Sequence, residues 1–247
     1  MYVAFASHGR RLEHCGENLE SLMYPKQTME AERYILTIYK DDVSHLLKNK
    51  RLMKYVEDGK LDVILAPVNL KTNNKLFWAC QMYCKLPIVA VDDDIIYKPH
   101  TLNYLYDHFL ANPTCVFGIH AINAQYNIPI KRWSRKILTK TTGPALNVYT
   151  YGGDGVIYPP GFKDAYVPYF DYIKNNEELQ LNDDHVLHWV KHQNDIKTIA
   201  KYGNSDDAGI LQHLMKLHAI NPTHVAGMPF TKEQRCINIL QQIYHIE

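Results

Sequence analysis

The sequence predicts an α/β fold in which a mostly parallel sheet is flanked by helices in a single domain. Short apolar runs typical of buried strands alternate with amphipathic segments of helix length over the first half of the chain, which is the pattern of strand–helix–strand units. The length of 247 residues is enough to bury a large core. No repeat, low-complexity segment or Pro/Gly/Ser linker divides the chain, so we expect one domain over residues 1–247.

The individual elements follow from local hydrophobic periodicity. Runs rich in Val, Ile, Leu and Tyr predict strands at residues 2–6, 34–39, 61–67, 87–91, 114–119 and 196–200. Apolar residues at helical spacing, such as Leu102, Leu105 and Phe109, predict helices near residues 11–23, 43–58, 73–84 and 100–111, with a last one near 231–244. The alternation ends near residue 120, where a polar, aromatic-rich stretch leads to GGDGVIYPPG at residues 152–161.

Charge and cysteine content exclude several classes of protein. The 27 basic and 26 acidic residues give a net charge of +1, so bulk attraction to nucleic acid is not expected. The five cysteines form no CxxC pair, which disfavours a zinc ribbon or a disulfide framework and favours reduced thiols. The chain starts with an apolar strand that lacks a basic leader, and no apolar run approaches the roughly 18 residues of a membrane span. We expect a soluble cytoplasmic protein and leave association with the inner face of a membrane open.

Three consecutive aspartates follow the fourth predicted strand, in VAVDDDIIY at residues 89–97. Side chains alternate along an extended chain, so Asp92 and Asp94 are expected on one side and Asp93 on the other. Crowded carboxylates at the edge of an apolar core repel one another unless a cation compensates their charge. Hard oxygen ligands suit Mg²⁺ or Mn²⁺, which bind through one or two carboxylates and the phosphates of a substrate. The alternative is an acidic turn that caps the helix beginning near Pro99.

A second pair of carboxylates lies in LQLNDDHVLHWVKH at residues 179–192. Asn182 and Asp183 predict a turn that opens a helix, and ordinary helix capping would explain them on its own. Taken with the first cluster, Asp184 is a candidate base that removes a proton from an attacking hydroxyl, with Asp183 as its orienting neighbour.

Histidines near this pair give a weaker signal. HWVKH has the spacing of a zinc pair, but the glutamate of an HExxH motif is absent. We therefore expect solvated or hydrogen-bonded side chains at His185, His188 and His192. A further metal ligand could come from the late segment, and the sequence does not choose among His213, His218 and His224.

Glycines and cations complete the set of candidate binding residues. Gly152, Gly153 and Gly155 allow a close approach of the backbone to a ligand, and the tyrosines around them offer surfaces for sugar rings, with a plain β-turn as the alternative. In the loop after the first strand, Ser7 begins a turn and Arg11 could bind a phosphate or the edge of a base.

Lys75, at the start of the helix before the aspartate strand, is a similar candidate for binding a diphosphate. For Arg11 and Lys75 alike, the alternative is an ordinary surface position.

The order of these motifs resembles a known family. FASHGRRL, LESL, NNKLFWAC, VAVDDDIIYKP, YGGDGVIYPP and NDDHVLHW are together similar to bacterial glycosyltransferases of the GT-A (Rossmann-like) fold, of the family 2-like kind found in surface-polysaccharide gene clusters. The resemblance spans nearly the whole chain. It implies a nucleotide-sugar donor, usually a UDP-sugar, a Mn²⁺ or Mg²⁺ cofactor, and inverting transfer to a glycan or lipid-linked saccharide acceptor.

Site roles are implied by this resemblance position by position. Residues 1–119 would form the nucleotide-binding half and residues 120–247 the acceptor-binding half. Asp94 would be the principal metal ligand, while Asp92 and Asp93 would contact the metal or the ribose. Asp184 would be the catalytic base of the acidic pair. The remaining donor-binding positions are Ser7, Arg11, Lys75, Gly152 and Gly153, and Gly155 would line the site with these glycines.

Three departures from the family pattern concern the donor sugar and the acceptor more than the reaction type. They are Ala6 in the first loop, Asp154 in the glycine turn and His185 after the acidic pair.

Two alternative functions stay open at this point. A nucleotidyltransferase or phosphotransferase would use the same acidic strand end and metal. A non-catalytic carbohydrate-binding protein would hold Ca²⁺ in the acidic cluster and use some of the 18 tyrosines for stacking.

Overall fold

The computed structural model of this protein describes residues 1–127, 132–138 and 142–200. Within these ranges the strands form a seven-stranded sheet and a three-stranded sheet. The strands are β1 Tyr2–Ala6, β2 Arg33–Tyr39, β3 Leu61–Ala66, β4 Ile88–Ala90, β5 Val116–Gly118, β6 Ala121–Asn127, β7 Arg132–Ile137, β8 Val148–Thr150, β9 Val156–Tyr158 and β10 Thr198–Ala200.

The larger sheet is mostly parallel and has the strand order β10-β5-β9-β4-β1-β2-β3. β1 pairs in parallel with both β2 and β4, and β10 pairs in parallel with β5. β9 is the exception, because it runs antiparallel between β4 and β5. The smaller sheet is antiparallel, with the order β7-β6-β8. The predicted α/β class with a mostly parallel sheet in a single domain is confirmed.

Helices cover the larger sheet. They are α1 Gly16–Leu22, α2 Val43–Lys48, α3 Lys50–Glu57, α4 Asn74–Met82, α5 Thr101–Ala111, α6 Phe162–Tyr166, α7 Phe170–Asn175, α8 Glu177–Gln180 and α9 Asp183–Gln193, with short 3-10 helices at Gly9–Glu13 and Gly152–Asp154 among the others. No helix in the described part of the chain has both the length and the apolar character needed to cross a bilayer.

The core lies on both faces of the larger sheet because its strands are apolar on both sides. In β1, Val3 and Phe5 pack into the cluster beneath α1 and α5, whereas Ala4 packs into the cluster beneath α4 and α9. This is the continuous apolar character expected of a strand buried between two helical layers. α4 is buried on nearly all sides from Asn74 to Cys80, so its first turn lies inside the protein.

Several predictions of local structure need correction. The helix predicted over residues 43–58 is two helices, because the Asn49 side chain accepts hydrogen bonds from the amides of Arg51 and Leu52 and caps α3. The second sheet and the helices α6 to α8 were not predicted. β9 and β10 join the same sheet as β1 to β5, and the division into two functional halves stays a prediction. The helix expected at 231–244 lies outside the described residues.

The topology brings three segments to one edge of the sheet. β1 and β4 are parallel neighbours, so their carboxyl ends, followed by Ser7 and by the aspartates, lie side by side. β9 is antiparallel to β4 and pairs Val156 with Ala90, so the glycine turn that precedes β9 arrives at this same edge. Ligands of α/β sheets bind at such an edge.

Candidate functional site

The aspartates lie in a turn after β4, and buried polar groups hold the backbone of that turn. The Asn18 side chain of α1 donates a hydrogen bond of 2.8 Å to the carbonyl of Asp92. The Tyr97 hydroxyl accepts one of 3.0 Å from the amide of Asp92 and donates one of 2.7 Å to the carbonyl of Gly153. Tyr97 therefore joins the aspartate turn to the glycine turn. Tyr97, in the IIYKP segment, was not predicted as a site residue.

Arg11 binds two of the three aspartates. Its guanidinium donates to both carboxylate oxygens of Asp93, the Nε bond being 3.1 Å, and lies 3.1 Å from Oδ2 of Asp94. Burial raises the pKa of Asp93, and Arg11 opposes that rise. Ser7, which is also buried, lies beside this pair and lowers the pKa of Asp93 as well.

Lys75 binds the third aspartate and the second acidic pair. Its ammonium lies 2.8 Å from Oδ1 of Asp92 and 2.9 Å from Oδ2 of Asp183. Burial by itself would lower the pKa of Lys75, but Asp183, Asp92 and Asp184 together raise it well above its usual value. Lys75 is therefore charged, and its position in the first turn of α4 connects the aspartate turn to the start of α9.

Asp184 contacts the glycine turn. Its Oδ1 accepts a hydrogen bond of 2.9 Å from the amide of Gly152. Burial, followed by the charge of Asp183, raises the pKa of Asp184 to about 7, while Lys75 and the Gly152 amide act in the opposite direction. A carboxyl group that titrates near neutral pH is suited to exchange a proton with a substrate.

At Gly152 and Gly153 there is too little space for a larger side chain. A Cβ at Gly152 would lie 2.7 Å from the Lys75 ammonium nitrogen and 3.0 Å from Oδ1 of Asp184, and one at Gly153 would lie 3.0 Å from Oδ2 of Asp92. Gly155 has φ +94, which favours glycine. A side chain at Gly152 or Gly153 would press on the charged groups that the turn contacts.

Aromatic side chains cluster around β8 and the turn that follows it. The His120 ring packs on Tyr151 with centroids 4.9 Å apart, and its Nδ1 lies 2.8 Å from Oδ2 of Asp154. The hydrogen bond to Asp154 raises the pKa of His120. The Tyr149 hydroxyl lies 3.0 Å from Nδ1 of His185. Two of the noted departures from the family pattern, Asp154 and His185, thus lie in this aromatic rim.

α9 carries a buried lysine that was not predicted as a site residue from the sequence. Lys191 is 1% exposed, and its ammonium donates a hydrogen bond of 3.2 Å to the Thr150 hydroxyl. Burial lowers the pKa of Lys191 to about 7. His188, one turn earlier, is also buried and packs on the Tyr149 ring. The signal available in the sequence was the spacing of Asp184, His188 and Lys191 at i, i+4 and i+7.

Several expectations are corrected by this geometry. The aspartates do not cap α5, whose first turn receives no side-chain cap from them, and the helix-capping alternative is wrong. Asp93 and Asp94 share Arg11 while Asp92 contacts Lys75, because residues 93 and 94 form a turn instead of continuing the strand. The surface alternative for Arg11 and Lys75 is wrong too, since both side chains are largely buried.

Of the two histidines in HWVKH, for which solvated or hydrogen-bonded side chains were expected, His192 is exposed whereas His188 is buried. The three late histidines lie outside the described residues.

The acidic cluster is compensated by the chain's own cations. Arg11 and Lys75 contact all three aspartates, so a divalent ion is not needed to make their proximity tolerable. No group of three or more His, Cys, Asp or Glu side chains within the described ranges is arranged to hold a metal ion. Asp92 and Asp94 still fit a hard cation that also takes water and phosphate ligands, because these side chains are 36% and 24% exposed.

Comparison with known proteins identifies the fold. No family model matches the chain, and no curated protein matches it. The crystal structure of residues 1–349 of S. aureus TarS matches 81% of this chain at a TM-score of 0.53 and 16% identity. The same protein in complex with UDP matches 81% of this chain at a TM-score of 0.52 and 14% identity. This chain covers 57% and 56% of those two structures. TarS is a bacterial GT-A-like glycosyltransferase, and the predicted GT-A-like fold is confirmed.

Proposed function

We propose that this protein is an inverting glycosyltransferase that moves a sugar from a nucleotide-sugar donor, a UDP-sugar, to a hydroxyl group of a glycan or lipid-linked saccharide. One observation carries the proposal. Asp184, a carboxyl group with a pKa raised to about 7, lies with Lys75 and Gly152 beside the acidic end of β4, at the edge where α/β sheets bind ligands. The UDP bound by the similarly folded TarS supports the donor class.

Donor binding would use the groups around the aspartate turn. Arg11 and Lys75 are the cations nearest the carboxylates that close β4, and each can bind the donor's diphosphate or nucleoside by exchanging part of its present contact. Asp93 and Ser7 are buried behind Arg11 and would hold it toward the nucleotide. Gly152 and Gly153 would let the donor sugar approach the backbone.

A divalent cation, Mn²⁺ or Mg²⁺, is part of the proposal. Asp94 and Asp92 would hold it, with water and donor phosphate oxygens completing the ligand set. When bound, such an ion supplies positive charge against the diphosphate leaving group.

The transfer step would be a single displacement. The acceptor oxygen forms a bond to the anomeric carbon while the bond from that carbon to the diphosphate breaks, and the nucleoside diphosphate leaves with the electron pair. Asp184 takes the proton of the acceptor hydroxyl. The Gly152 amide fixes Oδ1 of Asp184, which leaves Oδ2 to accept the proton. Asp183, paired with Lys75, keeps the start of α9 in register with the donor site.

Acceptor binding is proposed for the aromatic rim formed by His120, Tyr149, Tyr151, Asp154 and His185. Rings stack on the apolar face of a saccharide, and Asp154 offers a carboxylate to its hydroxyl groups. A location at the inner face of a membrane, where a lipid-linked acceptor would be met, stays a prediction from the family resemblance.

Calorimetric and thermal-shift titration with UDP, with and without Mn²⁺, tests donor binding. A ligand at 100 times its Kd should stabilise the protein by about 2.7 kcal/mol. Binding of glycans without any affinity for UDP would instead support the carbohydrate-binding alternative.

Product analysis with a panel of nucleotide sugars and saccharide acceptors tests the reaction. Sugar transfer releases a nucleoside diphosphate. Release of pyrophosphate would identify nucleotidyl transfer and overturn the proposal.

A further inference from the structure

One face of α9 carries a buried polar column behind the site. Asp184, His188 and Lys191 recur at i, i+4 and i+7, which places them on one side of a helix. All three meet β8 or the turn that follows it. Asp184 accepts from the Gly152 amide, His188 packs on Tyr149, and Lys191 donates to Thr150.

A lysine is energetically unfavourable at position 191, because the side chain is buried. A buried ammonium loses its hydration, and replacing it by an apolar side chain of similar volume would often stabilise a protein. Within the described residues, its ammonium donates one hydrogen bond, of 3.2 Å, to the neutral Thr150 hydroxyl. This bond compensates only a part of the lost hydration. Packing alone therefore gives no reason for a lysine here.

The charge that favours the protonated form of Lys191 is that of Asp184. Lysine side chains lean toward the helix N-terminus, so the ammonium of Lys191 extends from its Cα back toward Asp184. Among the described residues, His188 and His192 share its helix, Thr150 accepts its hydrogen bond from β8, and Tyr149 packs on His188.

Asp184 is in turn surrounded by several charges. Asp183 on α9 and Asp92 after β4 act on it, as does Lys75 of α4. The buried hydroxyls of Tyr158 and Tyr166 also lie within its electrostatic reach or that of Asp183.

We infer that Lys191 is a positioning residue for the transfer reaction, a buried lysine behind Asp184 whose charge favours the ionised form of this carboxylate, the form that accepts the acceptor's proton. The inference rests on the proposed function for its catalytic meaning, while the coupling between the two groups is a property of the fold. Lys75 acts on Asp184 from the donor side, and Lys191 acts from the interior.

The direction of the coupling follows from the two titrations. Burial moves both groups toward neutral pH, Asp184 upward to about 7 and Lys191 downward to about 7. A charged Lys191 favours ionised Asp184, and ionised Asp184 favours charged Lys191, so each group must shift the other by an equal amount. Removing the cation should therefore raise the pKa of Asp184.

The first test is the pH dependence of kcat/KM in Lys191→Met. The acidic limb of the profile should move upward by ~0.5 to 1 pH unit. Lys197→Met removes an exposed lysine from the adjoining segment and should leave the limb where it is. If Lys191→Met folds and the acidic limb of its kcat/KM profile lies at the same pH as in the wild type, the inference is overturned.

The second test needs no turnover. Carboxyl ¹³C resonances titrated by NMR, with Asp184 assigned from Asp184→Asn, should give a higher midpoint for Asp184 in Lys191→Met. Lysine ¹³Cε resonances should give a lower midpoint for Lys191 in Asp184→Asn. Absence of sugar transfer in the wild type would remove the proposed function, and these midpoints would still decide the coupling.

Thr150→Val keeps the shape of the side chain and provides a variant if Lys191→Met does not fold. Loss of the hydroxyl should lower the Lys191 midpoint and raise that of Asp184. Midpoints of both groups that stay fixed in Thr150→Val, together with a Lys191 midpoint that stays fixed in Asp184→Asn, would overturn the inference as well.

Discussion

The backbone amide of Gly152 donates a hydrogen bond of 2.9 Å to Oδ1 of Asp184, across 32 positions of sequence. This bond joins the turn before β9 to the first turn of α9. It orients one carboxylate oxygen of Asp184; in the proposed reaction the other oxygen takes the acceptor's proton.

Asp184→Asn should lower the rate of sugar transfer by a factor of about 10² to 10⁴ and retain UDP binding. Asparagine keeps an oxygen that accepts from the Gly152 amide but cannot take up the proton of the acceptor. The removal of a general base typically costs 10² to 10⁴ in rate. Turnover is measured as release of nucleoside diphosphate and binding by calorimetry. Wild-type turnover in Asp184→Asn would contradict the assignment of Asp184. By contrast, Asp94→Ala should lose both turnover and donor binding.

Asp184→Asn should also be more stable than the wild type at neutral pH. The folded protein holds the Asp184 proton up to about pH 7, whereas the ordinary pKa is 3.8. The folded state therefore binds more protons between these values, and the free energy of unfolding falls as the pH rises through that window. Asparagine removes this cost, so we expect a gain on the order of 1 kcal/mol or more at pH 7.5 and little at pH 4. Urea denaturation at both pH values measures it.

Gly152→Ala should reduce turnover strongly while the fold is kept. The added Cβ would lie 2.7 Å from the ammonium of Lys75 and 3.0 Å from Oδ1 of Asp184, so one of these groups must move away. The matched control is Gly143→Ala, where a Cβ meets nothing within 4 Å. Circular dichroism and the kinetic assay compare the two variants. Equal activities in Gly152→Ala and Gly143→Ala would exclude a role for this close contact.

Lys75→Met should destabilise the protein by about 3 kcal/mol, because it leaves the largely buried carboxylate of Asp183 and the partly exposed one of Asp92 without their shared cation. The control Lys85→Met removes an exposed lysine and should change the free energy of unfolding by less than about 0.5 kcal/mol. Denaturant midpoints give both values. A loss below about 1 kcal/mol in Lys75→Met would show that these acids find other partners.

Arg11→Lys should weaken UDP binding about tenfold or more. Lysine keeps the charge but cannot bind both carboxylate oxygens of Asp93 in a planar fork. Arg10→Lys, the exposed neighbour, should bind UDP like the wild type. Calorimetry measures both affinities, and equal values for the two variants would remove Arg11 from the donor site.

Asp154→Asn should lower the pKa of His120 toward its ordinary value of 6.5, because the hydrogen bond that the His120 ring donates to the Asp154 carboxylate raises it. The ion pair is present at low pH and is lost as the pH rises through the raised pKa of His120. Imidazole proton NMR measures the midpoint. If the rim binds the acceptor, KM for the acceptor should also respond to Asp154→Asn while the donor Kd does not.

Local features of the chain were enough to predict much of the fold. All six apolar runs that predicted strands correspond to β1 to β5 and β10, because burial on both faces of a parallel sheet leaves a continuous apolar signal in a short segment. The second sheet was missed. Its strands β6 and β7 contain many polar residues, and β8 is only the three residues Val148–Thr150, so they lack that signal.

Which side chains meet was decided by the tertiary structure. The sequence by itself determined that carboxylates would close β4 and open α9, since both features are local. Arg11 lies 82 positions from Asp93, and their contact depends on β1 and β4 being parallel neighbours. The antiparallel insertion of β9 brings Gly152 to Asp184, and the packing of α9 on β8 buries Lys191. Burial and charge pairing depend on strand order and helix docking. Both are long-range features, so a local pattern of residues does not predict them.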